Sequence, residues 1–305
     1  ENWRYTAELR ELQKRLAIVI QRLELTTSEI AVLPDNYVAA ENTQLQDLPH
    51  GLFQTNSDWI NLRDFTADLT TPAHDIGFRG HSVFMVFFHD PDGRKTGLDY
   101  LKRLNAVSPR FVDSDQPIAW QDLNPALPQF PTNSQWALVR RMCVIDIDGR
   151  IRPTHVTESI QMRTYLNIKE MYGTYTSLDG DQPPQHFDEF RMLRDTNAAL
   201  NHIEPGQKDF ISNNFPAGNE PFEWVPPDQM DKDQRIRTLQ QCSGCHSGPG
   251  IYSINSFSRF LAGPPKYQIS QLAEGDLDYE AMQITNWKYA QSNWKLLQSL
   301  LMQRK

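Results

Sequence analysis

The chain has 305 residues, 39% of them hydrophobic and 22% charged, and a net charge of −8. That length can bury a sizeable core, and the composition excludes an intrinsically disordered chain. Net acidity argues against nucleic-acid and anionic-membrane partners, and no apolar run is long enough for a membrane span.

The sequence opens at Glu1 with neither Met nor a charged-then-apolar leader. It reads as a mature chain whose signal peptide has been removed. Tyr5, Leu9, Leu12, Leu16, Val19 and Leu23 recur at alternating steps of four and three, a heptad seam. One long helix over 3–31 is expected, ending before Pro34. Its seam, residues 5–23, either packs on the protein's own body or docks a like or unlike subunit.

Residues 34–75 look irregular, with short apolar pieces at Leu52-Phe53 and Trp59-Ile60. The β-branched and aromatic run His81–Phe88 predicts a buried strand, stopped by the turn sequence Asp90-Pro91-Asp92-Gly93. A short helix is expected over Thr96–Leu104, then a Pro-rich loop. Residues 136–147 predict a strand, Asp148-Gly149 a hairpin turn, and 150–156 and 159–166 two further strands. Pro153 argues for an edge or a break. The stretch 178–230 is rich in Pro, with a short helix near 188–200. Residues 231–241 look helical. Ile284, Trp287, Trp294, Leu297 and Leu301 form the apolar side of a long helix over 276–302.

The expected fold is α+β. A long N-terminal helix (1–33) precedes a mixed β-sheet body (34–225), and a mostly helical segment (226–305) closes the chain.

Cysteine usage is the informative count: there are three. Cys143 lies in an apolar run and reads as a buried, inert thiol. Cys242 and Cys245 belong to Cys242-Ser243-Gly244-Cys245-His246, the spacing of c-type haem attachment. Two thiols three residues apart can each join one vinyl group of the haem edge. The adjacent imidazole is then held under the iron as proximal ligand. A thioredoxin-type pair would need a βαβ context. A zinc site would need two more ligands, such as Cys143 and a distant His. A disulfide at this spacing is tight.

Cys242, Cys245, His246, the lead-in 235–241 and the terminal aromatic helix around Trp287 and Trp294 resemble the c-type cytochromes. The resemblance covers the C-terminal segment alone, whose predicted character is cytochrome c-like. It implies one covalent haem c, assembly in the periplasm or at the cell surface, and electron transfer with a redox partner protein.

Only 59 residues follow His246. Met282 is the candidate distal iron ligand, because it lies nearer the motif than Met302 and off the apolar stripe. His155, His186 and His202 are the alternatives. If none binds, the iron has an open side, as in a haem enzyme or small-ligand sensor. A third reading is an assembly subunit that carries one haem. Arg79, Arg140, Arg141, Arg152 and Arg163 lie near predicted strands, where haem propionates could meet them, though ordinary ion pairs are the blander role. The clusters at Asp90–Arg94, Asp146–Arg150 and Asp179–Asp181 read as turns rather than calcium loops, because the further oxygen ligands and closing Glu are missing.

Overall fold

A computed structural model describes residues 3–64, 82–109, 111–113, 121–166, 168, 185–192, 197–203, 211–213, 235–237, 250–251, 253, 272–274 and 277–302. Its helices are α1 (Trp3–Leu23), α2 (Thr27–Ala31), α3 (Asn36–Asn42), α4 (Arg94–Ala106), α5 (Leu277–Ala290) and α6 (Ser292–Met302). Seven strands form the main sheet: β1 (Trp59–Asp64), β2 (Ser82–His89), β5 (Gln135–Ile145), β6 (Ile151–Tyr165), β7 (Gln185–Met192), β8 (Leu200–His202) and β11 (Leu272–Glu274). Two small ribbons stand outside it, β3 (Phe111–Asp113) with β4 (Gln121–Leu123) and β9 (Ile211–Asn213) with β10 (Arg235–Arg237).

The sheet order is β11-β1-β2-β5-β6-β7-β8, and every neighbouring pair is antiparallel. Alternation of side chains gives it two buried faces. On the first face, Val83, Met85, Phe87, Ala137, Val139, Ile160, Met162 and Phe190 pack under α3, the 45–53 loop and α5. On the second, Ile60, Leu62, Phe88, Trp136 and Tyr165 pack under Tyr100, Leu101 and Leu104 of α4 and under Leu127 and Phe130. Phe130 lies 5.0 Å, centroid to centroid, from both Trp136 and Tyr165.

Several expectations are overturned. The body is not a mixed sheet, because all of its pairings are antiparallel. No helix runs unbroken over 3–31. Thr26 caps a new start, accepting from the Glu29 amide, while Glu29 accepts from the Thr26 amide. Leu25 bridges to Asp146 just before it, which ends α1 two residues earlier. The described residues of the C-terminal segment are mostly helical, as expected, but the segment is not set apart from the sheet body. It supplies β11 to the edge of the main sheet beside β1, and its terminal helix is broken into α5 and α6 at Gln291. Part of the helical lead-in to the Cys motif is the strand β10, and the helix expected near 188–200 is instead β7 and β8.

Pro153 sits inside the 15-residue β6, a strand between two others. Pairing with β7 begins only at Ser159, so Pro153 has β5 on one side and, among the described residues, no strand on the other. A missing amide is tolerated there.

Candidate functional site

Cys242, Cys245 and His246 lie outside the described residues, as do Arg79 and the cluster Asp179–Asp181. The described residues that follow the motif most closely are Gly250, Ile251 and Ser253. The Ile251 amide donates to Gln129 Oε1 at 2.7 Å, and its side chain is buried in the aromatic cluster of the second face. The Tyr165 and Ser253 hydroxyls hydrogen-bond each other in full burial. Gly250 has a φ of 52°, a left-handed conformation that favours glycine, and a Cβ there would require the Gln129 side chain to shift.

The same face carries a polar belt away from the aromatic end. Arg140 Nε lies 3.0 Å from Glu158 Oε2, which also accepts from the Ser82 hydroxyl. Glu189 is fully buried opposite Gln161, with Arg191 Nε 3.6 Å away. Burial pushes the Glu189 carboxyl above its usual range, and Arg191 offsets this only in part. Arg163 is two residues from Tyr165 and shares its side of β6. Its guanidinium is partly buried beside the Tyr165 hydroxyl, with Nη1 turned away from solvent.

The other nominated residues fall elsewhere. The Arg141 guanidinium stacks over the Phe53 ring at 3.6 Å, with Asp35 at 3.9 Å. Arg152 Nε pairs with Asp146 Oδ2 at 2.6 Å. The other Asp146 oxygen accepts from the Asp148 and Arg150 amides at 3.0 and 2.8 Å, so this cluster uses its carboxylate to build the hairpin turn. Asp90 shapes the turn from β2 into α4 in a like way, accepting from the Asp92 amide. Half-buried Cys143 lines an apolar cavity of about 560 Å³ with Leu16, Ile20, Trp287 and Trp294. Met282 is 48% exposed on α5, the helix that covers the first face, whereas Ile251 belongs to the second.

Of the histidines, His155 is exposed on β6. His186 and His202 converge. His202 Nε2 lies 3.1 Å and His186 Nε2 3.3 Å from the same oxygen, Oδ1 of buried Asp188. The β7–β8 register sets Phe190 opposite His202, and their rings stack with centroids 4.9 Å apart. The Asp47 carboxylate completes the group, with one ligand atom each from Asp47, Asp188 and His202 lying within 4.8 Å of one another. Sequence reading missed both aspartates. The available signal was His186-x-Asp188, which shares a face only if the segment is a strand.

No family model, curated protein or solved structure matches this chain. Among the described residues, no helix is long and apolar enough to cross a membrane.

Proposed function

We propose that the chain is a monohaem c-type cytochrome that transfers electrons outside the cytoplasmic membrane. The observation that carries this reading is the spacing Cys242-x-x-Cys245-His246 in a chain with one other cysteine. Cys242 and Cys245 would hold the haem, and His246 would be its proximal iron ligand. When bound, the group supplies a one-electron redox centre.

The surroundings of the motif support the reading. Four residues span at most about 14 Å, so a haem on His246 would be tethered close to Gly250. Ile251 is held by Gln129 at the aromatic end of the second face, with Gly250 beside it.

An open-sided haem, fit for an enzyme or small-ligand sensor, is the second reading. It is favoured by the exposure of Met282 on the helix across the opposite face. Carbon monoxide added to the reduced protein separates the two. No Soret shift supports Met282 or another firm sixth ligand, and a prompt shift supports the open site.

The reading extends to assembly. Leu9, Leu12, Leu16, Val19 and Leu23 of α1 are all exposed, so the seam expected over 5–23 is available to a like or unlike subunit. The proposed compartment, periplasm or cell surface, follows from haem c assembly, and the proposed partner is a redox protein.

A further inference from the structure

Two sheet strands and one loop bring four metal-ligating side chains to one place. Asp188 and His186 are alternate residues of β7 and share its first face. His202 ends β8, held opposite Phe190. Asp47 comes from the loop after α3, in a left-handed turn with φ of 60°. Leu45 and Leu48 pack into the core on either side of it and fix the loop there.

We infer that Asp47, Asp188 and His202 bind a divalent transition-metal ion, zinc being the probe of choice, with His186 at the rim of the site. Metal–nitrogen and metal–oxygen bonds of about 2.0–2.1 Å place ligand atoms about 3.3 Å apart in a tetrahedral shell. The two separations from Asp188 Oδ1, 3.1 Å to His202 and 3.3 Å to His186, match that spacing. Asp188 is 5% exposed and its Oδ1 faces both imidazoles, so a cation seated among them would meet a desolvated carboxylate. The exposed Asp47 carboxylate brings a second oxygen ligand atom within 4.8 Å. Mixed imidazole and carboxylate ligands suit zinc and its first-row neighbours better than calcium. The bound ion would cross-link the 45–48 loop, β7 and the edge strand β8. The inference uses no residue of the Cys242–His246 motif, so a failed zinc titration leaves haem attachment untouched.

The test uses the full, haem-loaded chain, stripped with a chelator and titrated with zinc by calorimetry. One equivalent should bind, and Asp188→Asn or His202→Gln should each weaken binding about 100-fold. His186→Gln should weaken it less. Zinc-edge X-ray absorption of the unsubstituted protein provides a readout that survives a misfolded variant. A shell of nitrogen and oxygen, including imidazole, supports the site. No bound zinc, a sulfur ligand, or unchanged affinity in well-folded Asp188→Asn and His202→Gln proteins would overturn it.

Discussion

Asn36 pairs with Thr157 as another strand would. Its Nδ2 donates to the Thr157 carbonyl at 2.8 Å, and its Oδ1 accepts from the Thr157 amide at 2.8 Å. The same Nδ2 donates to the Ala198 carbonyl, also at 2.8 Å. Thr157 lies where the β5–β6 register shifts and before β7 pairing begins. One amide on α3 therefore closes a gap in the sheet and ties down the turn leading to β8. Asn36→Ala should cost about 2–4 kcal/mol, since it orphans several buried backbone groups at once. Urea unfolding measures this, and a midpoint equal to that of the parent chain would contradict it.

Two buried carboxylates should give stability opposing pH dependences. For Asp146, burial raises the pKa, but Arg152 and the Arg150 and Asp148 amides carry it below its ordinary 3.8. Its stabilisation is therefore complete above 3.8 and is lost as pH falls through the lower folded value. Glu189 lies above its ordinary 4.5, chiefly through burial. Relative to high pH, its contribution is complete below 4.5 and is lost as pH rises through the raised value. Urea midpoints across acid and neutral pH should show a flatter acid limb in Asp146→Asn and a flatter upper limb in Glu189→Gln. Limbs unchanged from the parent would contradict both assignments.

The α1 seam predicts an oligomer. α1 packs on α6 and buries Ala17, while Leu12 and Val19 are 62% and 50% exposed. Leu12→Glu with Val19→Glu should therefore leave the fold intact and move the sedimenting species to a single chain. An oligomeric state that these substitutions do not change would count against a contact through 5–23.

Local signals carried part of this fold into the sequence. The β2 run and the Asp148-Gly149 turn are short-range patterns, and both elements stand where those patterns lie. The break after Leu23 was written locally too, in Thr26-x-x-Glu29, but the heptad rhythm obscured it. Strand β7 was hidden for another reason. Asp188, Glu189 and Arg191 are all buried, so polar residues occupy both faces and erase the apolar alternation that marks a strand. The His202–Asp188 contact depends on β7–β8 pairing, which no local pattern announces. Strand β11 has three residues, too few to carry a period.

The central claim is covalent haem at Cys242 and Cys245. Acid–acetone extraction of the full chain, produced in a host that matures haem c, tests it most directly. The account predicts one haem per chain that stays with the protein after extraction and is lost in Cys242→Ala with Cys245→Ala. Haem that washes out, or a chain that holds zinc and no iron at this motif, would contradict it.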